Sequence, residues 1–419
     1  MPVVGRGLFD TAMRRSIVVI PVMLVVMWLA ISITASTVLA RSNPDLAIRL
    51  YPANSRALER GATIASVAPG IASAERASKL ARRSLAASPL SSEGAIALAV
   101  ARTIIRPQDD AMAAVEYSQF LSRRTTFAQI WLIEHGAQQG NIGVALKAYD
   151  RLFRVSDYYR GQFLPILLTA SAQPDVARGI ARLLATRPPW RGEYFGGLLG
   201  HFPGADNFAL LIRAMRFDPA DADGARRLTL ALTKLVDAGR PDLAFSVYRM
   251  AMGRRGDAAA LVRNGDFATA DGIVPFAWQL NQSDELSAEI GINPAGRSAL
   301  QLRNRGGRVG AFARQLVLLR PGAYRLGFVV GSVQGADIDR PKMIVQCVGV
   351  ATELAAVTFP EAPEDGRSVA ASLSVPAQGC SAQWLTVQAG NPVDGIAAEQ
   401  WLSAVRLTAL GDARPASVR

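Results

Sequence analysis

Between Arg15 and Arg41 the chain carries no charge, reading SIVVIPVMLVVMWLAISITASTVLA. A helix needs about 20 apolar residues to cross the hydrocarbon core of a bilayer, and this run is longer. In lipid only a helix or a closed barrel satisfies its own backbone, so a single such segment has one conformation open to it. Pro21 sits near its start, where a missing N–H costs least. Arg6, Arg14 and Arg15 precede the run, and the bias of cations toward the cytoplasm places Met1 there. The expectation is a single-pass protein of a bacterial-type inner membrane. Residues 1–15 are then the cytoplasmic N-terminus, 16–40 the transmembrane anchor, and everything after Arg41 periplasmic. A cleaved signal peptide is the alternative, because Val38-Leu39-Ala40 fits a small-residue cleavage site. A signal core of roughly 7–15 apolar residues is shorter than this run, which favours an uncleaved anchor.

The chain is long enough, at 419 residues, for two or three domains. A net charge of +12 first suggests nucleic acid as partner. The cations are scattered among acidic residues, no dense basic block occurs, and no base-stacking signature is present, so no nucleic acid is expected. Arginine supplies almost all of the charge; the lysines are Lys79, Lys147, Lys234 and Lys342. With this much alanine, the pattern reads as compositional drift.

From 41 to 258 the chain is rich in Ala, Leu and Arg, punctuated by Gly, Pro or Asn, and predicts helix after helix. Gly140-Asn141 is followed by Ala145 and Tyr149, and Gly239-Arg240 by Ala244 and Tyr248. The same spacing lies on Ala172, Ala177, Ala181 and on Gly204, Ala209, Arg213, with weaker copies around Ala77-Ala81 and Ala113-Tyr117. Pro188-Pro189 and Gly196-Gly197 predict irregular loops. The period resembles the tetratricopeptide repeat, a helix-turn-helix unit of about 34 residues. In such a unit Gly ends the first helix, a small Ala lets the second pack closely, and a large residue one turn on fills the gap to the next repeat. An irregular helical domain is the alternative. The resemblance implies a groove for a protein partner, here one of the cell envelope, and no chemistry. His135 and His201 stand on separate segments without a neighbouring Cys, and read as structural.

The character changes near Arg254-Arg255-Gly256-Asp257. Short alternating runs follow, and strands are predicted at 299–303, 311–318, 323–330, 343–349, 368–375, 383–388 and 401–410. Seven such strands imply an antiparallel sandwich or jelly roll. Leu261-Val262-Arg263-Asn264-Gly265-Asp266-Phe267, Pro275-Phe276-Ala277-Trp278, the run Gln315–Leu326 with its Pro321-Gly322 turn, and Trp401–Leu407 resemble galactose-binding-like modules of the carbohydrate-binding family 4/9 type. That resemblance covers about 260–411 and is mainly structural. Ser403 and Ala404 stand where the family often has acidic residues, which weakens any metal site carried over from it. The expected fold class is therefore multidomain, α then β: one transmembrane helix, a TPR-like α-solenoid over 41–258, a C-terminal antiparallel jelly-roll β-sandwich over 259–412, and a tail over 413–419.

Cys347 and Cys380 are the two cysteines. Outside the cytoplasm a pair oxidises readily, and a disulfide is expected; two buried thiols are the alternative. Sugar sites need aromatic faces and planar polar groups. Strand alternation puts Trp384, Thr386 and Gln388 opposite Leu385 and Val387, Gln301 and Arg303 opposite Leu300 and Leu302, and Arg325 opposite Tyr324 and Leu326. Trp384, Gln388, Arg325, Gln301 and Arg303 are the ligand-binding candidates, while Trp278 and Trp401 read as core. No P-loop, nucleophile elbow, zinc-protease or dinucleotide motif occurs. Glu285 with Glu289, or Glu361 with Glu364-Asp365, could mimic a glycosidase pair but fall in predicted loops. No enzyme, cofactor or metal is expected. The reading is an anchored envelope accessory protein, with helices on a protein partner and the sandwich on a glycan, in polysaccharide synthesis or export. A purely structural interaction module and a degenerate glycoside-processing enzyme are the alternatives.

Overall fold

The computed structural model describes residues 7–106, 111–253, 260–270, 272–305, 309–350, 352–390 and 398–410, with backbone alone over 7–18 and at 398. The expected boundary at 254–257 and the tail at 413–419 lie outside the described residues. Two compact units divide the chain, Met1–Ile166 and Leu167–Arg419.

The first unit holds α1 (Gly7–Leu39), α2 (Pro44–Leu50), α3 (Ser55–Val67), α4 (Ile71–Ala87), α5 (Ser92–Ile105), α6 (Met112–Leu121), α7 (Thr126–Gln138) and α8 (Ile142–Val155); α9 (Asp157–Ala170) ends in the second. Within α1, Val19–Leu39 has a mean hydropathy of 2.3 and is long and apolar enough to cross a membrane. One stripe of its last turns is covered by protein: Ser32, Ser36 and, just past its end, Ala40 are buried, while Ile33 and Val38 stay exposed. Asn54 Nδ2 donates to Ser36 Oγ (2.7 Å), and Ser36 Oγ donates to the Ala47 carbonyl (2.8 Å). Asn54 Oδ1 meanwhile caps α3 by accepting from Ala57 N. Three helices are thus tied by one buried chain of small polar groups.

The second unit continues with α10 (Pro174–Leu184), α11 (Arg191–Gly200), α12 (Ala205–Met215), α13 (Ala222–Asp237) and α14 (Pro241–Met252). Ser91, Asn141 and Asp221 cap α5, α8 and α13 with side-chain oxygens. Gly140 and Gly239, at φ 66° and 74°, end α7 and α13 in the left-handed region that favours glycine. The small positions of the repeated spacing pack inward: Ala77, Ala81, Ala145, Ala177, Ala181, Ala209 and Ala244 are buried, as are Tyr149 and Tyr248. A Cβ on Gly136 would lie 2.9 Å from Ala145 N, so α7 and α8 cross where neither can be larger. Side-chain hydrogen bonds recur between residues about one repeat apart, such as Tyr117 to Pro89 O, Arg151 to Gln119, Asn207 to Ala172 O and Arg213 to Ser246.

Two expectations fail here. Ala113 and Tyr117 are exposed, and α6 buries Val115 and Ser118 instead. Gly196-Gly197 lies inside α11 rather than in a loop, because a Cβ on Gly197 would collide with Leu168.

Among the described residues ten strands follow: β1 (Gln279–Leu280), β2 (Leu286–Ile292), β3 (Ser298–Asn304), β4 (Ala311–Val317), β5 (Gly322–Gly331), β6 (Lys342–Cys347), β7 (Glu353–Thr358), β8 (Arg367–Val375), β9 (Gln383–Gln388) and β10 (Ala398–Ala409). They form two antiparallel five-stranded sheets, ordered β1-β4-β9-β6-β7 and β2-β3-β10-β5-β8, packed as a sandwich. All seven predicted strands occur; β1, β2 and β7 are additional, and Glu289 lies on β2 rather than in a loop. Leu300, Leu302, Leu326, Phe328 and Val330 from one sheet meet Phe312, Met343, Val345, Leu385 and Val387 from the other. Trp278 packs on Phe267 (5.4 Å), and Trp401 is covered, its Nε1 donating to Glu364 O (3.3 Å). Cys347 and Cys380 form a disulfide with Cα atoms 5.2 Å apart.

The last helix is bound to the sandwich by aromatic rings. Phe276 lies 5.3 Å from Phe245 and 4.9 Å from Tyr248 of α14. The Arg263 guanidinium sits 5.1 Å above each of those two α14 rings. Buried Gln315 of β4 holds Arg263 in place, accepting from its N–H and donating to its carbonyl, both at 2.9 Å.

Candidate functional site

Strand β9 is the middle strand of its sheet, flanked by β4 and β6. Its alternation is the one expected: Leu385 and Val387 enter the core, while Trp384, Thr386 and Gln388 are half-buried on the outer face. Register then decides their neighbours. Thr386 stands beside Arg314 of β4 and Ile344 of β6, Trp384 beside Gln346, and Gln388 beside Lys342. Directly opposed side chains leave the backbone about 5 Å apart, so these groups form one continuous patch. Arg314 lies over the Trp384 ring, 4.5 Å from its centroid, and its Nε donates to Gln279 Oε1 of β1 (2.9 Å). The patch therefore has an indole, three amides, a hydroxyl, a guanidinium and an ammonium. Strands β1, β4, β9 and β6 contain no Asp or Glu; Glu353, on the edge strand β7, is the nearest carboxylate in register.

The five candidate residues do not converge. Trp384 and Gln388 share this face, whereas Gln301 and Arg303 on β3 and Arg325 on β5 leave the outer face of the other sheet. Packed sheets lie about 10 Å apart, so one small ligand cannot touch both sets. On that second face Arg303 is paired with Glu399 (3.0 Å) and Gln301 donates to Ile292 O (3.0 Å). Arg325 is exposed, in register with Ser372 and Thr408. Arg314, Gln346, Gln279 and Lys342 escaped the sequence reading. Arg314 was hidden by a register shift between Ala311 and Ala313, which breaks the simple alternation of β4.

In the first unit, α3, α5 and α7 line a cavity of ≈ 210 Å³ with Val67, Ile96, Val100, Phe127, Ile130 and Trp131. His135 stacks on Trp131 at 4.5 Å, a packing role, and His201 follows the end of α11. Nearby, burial pushes the Glu59 carboxyl above its usual range against a hydrogen bond with Ser91. Burial also raises Glu93, with the Glu59 charge adding to it. Among the described residues no cluster of His, Cys, Asp and Glu could hold a metal.

No family model matches the chain. No curated protein matches it. Solved structures resemble part of it. A CBM4 module is 16% identical and covers 35% of this chain and 99% of that one, with a TM-score of 0.27. A family 16 carbohydrate binding module is 20% identical, with coverages of 35% and 99% and a TM-score of 0.26. A cyclase from Fischerella sp. TAU is 13% identical, with coverages of 35% and 94% and a TM-score of 0.27. A likeness at this level carries no ligand or activity to this chain.

Proposed function

We propose that this chain is a non-enzymatic, membrane-anchored accessory protein of the cell envelope, whose sandwich contacts glycan and whose TPR-like helices hold a protein partner at a site of polysaccharide synthesis or export. The observation that carries the glycan part is the Trp384 face. It offers a half-buried indole on the same sheet face as Gln279, Gln346, Gln388 and Thr386, the planar and hydroxyl groups that sugars need. Amides, an indole, a hydroxyl and a guanidinium are groups that bind and orient a ligand, which supports a binder over an enzyme. The glycan array that tests this uses the full-length protein in detergent micelles. Binding that Trp384→Ala abolishes is expected; binding unchanged in that variant, or none at all, sinks the glycan part and leaves the purely structural reading.

Support for a retained anchor comes from the end of α1. Cleavage after Ala40 would remove Ser36, take from Asn54 Nδ2 its acceptor, and open the cluster of Ala40, Ala47 and Ala57. Intact mass of the membrane-extracted protein is expected to include residues 1–40; a chain starting at Arg41 refutes the anchor. A reporter fused after Arg419 is expected to be active outside the cytoplasm, and activity confined to the cytoplasm refutes the orientation. For the helices, the buried alanines at repeat spacing and the apolar cavity between α3, α5 and α7 support a partner groove.

A further inference from the structure

We infer that the Trp384 face takes an acidic glycan, one bearing uronate carboxylates; this rests on the glycan reading above. The argument begins with what already occupies the ring. A neutral pyranose stacks on an open indole face, but here the Arg314 guanidinium lies over the ring at 4.5 Å. To stack there a neutral sugar must first displace a cation–π contact of about 0.5–1 kcal/mol. A uronate need displace nothing. The guanidinium is held at two points, by the indole below and by Gln279 at its Nε. Held so, it is a planar fork whose remaining N–H groups match a carboxylate two at a time.

The rest of the face agrees. Lys342 stands across β9 and β6 from Arg314, level with Gln388, and gives the patch a second cation. Strands β1, β4, β9 and β6 supply no carboxylate to neutralise either one. A face built for neutral hydroxyls profits from carboxylate acceptors; the four strands that carry this patch have none, and Glu353 on the edge strand β7 is the nearest in register. Elsewhere on the sandwich the opposite arrangement occurs, with Arg303 paired to Glu399 on the other outer face. Arg314 and Lys342 thus stand on strands without a carboxylate, whereas on the other face Arg303 is cancelled by Glu399.

Calorimetry of the full-length protein in neutral detergent separates the possibilities, using oligogalacturonate and a neutral galacto-oligosaccharide of equal length as probes. The uronate should bind at least about tenfold more tightly, with the gap closing as salt rises toward about 0.5 M, where screening is strong. Arg314→Met keeps an apolar stem on the ring and should cost the uronate about tenfold while leaving the neutral sugar unchanged or improved. Lys342→Met should cost about two- to fivefold. Arg406→Met, on the opposite sheet, should change nothing. Equal affinity for both probes, no loss in Arg314→Met, or an equal loss in Arg406→Met overturns this inference while the glycan reading stands. Failure of the wild-type protein to bind either probe overturns both.

Discussion

In the sandwich, one buried cluster runs through both sheets and mixes residues from Val262 to Leu407, so its contacts join segments far apart in sequence. The first helices are held differently. Their clusters are small and rich in alanine: Ala65, Ala74, Ala77 and Ala101 in one, Ala40, Ala47 and Ala57 in another. Large side chains filling one shared volume make the sandwich stand or fall as a whole. Small side chains at helix crossings make each interface a local matter, stabilised by close backbone approach and by cross-helix hydrogen bonds. The difference teaches where damage spreads and where it stays.

Variants can break or sharpen that contrast. The largest effect is expected from Leu385→Ala, at the fully buried middle of β9, which should cost about 4 kcal/mol and lower hydrogen-exchange protection in every strand together. Loss confined to β9 would mean that the sandwich is not one cooperative unit. Next comes the disulfide. Cys347→Ala with Cys380→Ala releases a loop of sequence separation 33, worth about 3–4 kcal/mol, and should lower the sandwich melting transition while protection in α3–α8 stays as it was. In the helices, Ala77→Leu forces a larger side chain into a closed crossing at a cost of about 1–3 kcal/mol, with exchange rising in α3–α5 alone. Asn54→Ala removes both the α3 cap and the donor to Ser36, and about 1–2 kcal/mol of local stability, read as faster exchange across α2 and α3.

The smallest effect is one of pH. The folded-state carboxyl of Glu59 is raised above its usual 4.5 by burial, so the native chain binds its proton more tightly than the unfolded one. This destabilising contribution is complete above the raised value and fades as pH falls toward 4.5. Thermal melts of the first helices should therefore gain as pH falls from neutral toward 4.5, and Glu59→Gln should flatten that gain. Asp242, lowered mainly by its bond to Arg240, acts only below its usual 3.8 and stays out of this window.

Much of this was legible in the sequence, for reasons that differ between the two regions. The helical alanines could be read because a helix repeats its neighbours every turn and each hairpin repeats the last, so Ala145, Ala177, Ala209 and Ala244 announce their burial locally. Ala113 and Tyr117 misled because α6 turns a different stripe, Val115 and Ser118, inward. Strands with strict alternation, such as β9, revealed which face each side chain takes. Strand β7 is alanine-rich and β1 has two residues, so neither carries a pattern to read. The candidate site was half visible. Parity placed Trp384 and Gln388 on one face, but the neighbour relation between Arg314 and Thr386 joins positions whose pairing no local pattern encodes. For the same reason Gln301, Arg303 and Arg325 looked like companions of Trp384 and stand on the far sheet.

The tilted ring contacts between α14 and the sandwich have a mechanical consequence. Phe276 and Arg263 make the joint between the last helix and the sheets a stiff strut rather than a hinge, since bending it means prising aromatic faces apart and pulling Arg263 from its seat on Gln315. A force applied to the sheet that holds Gln315 would therefore load α14 directly.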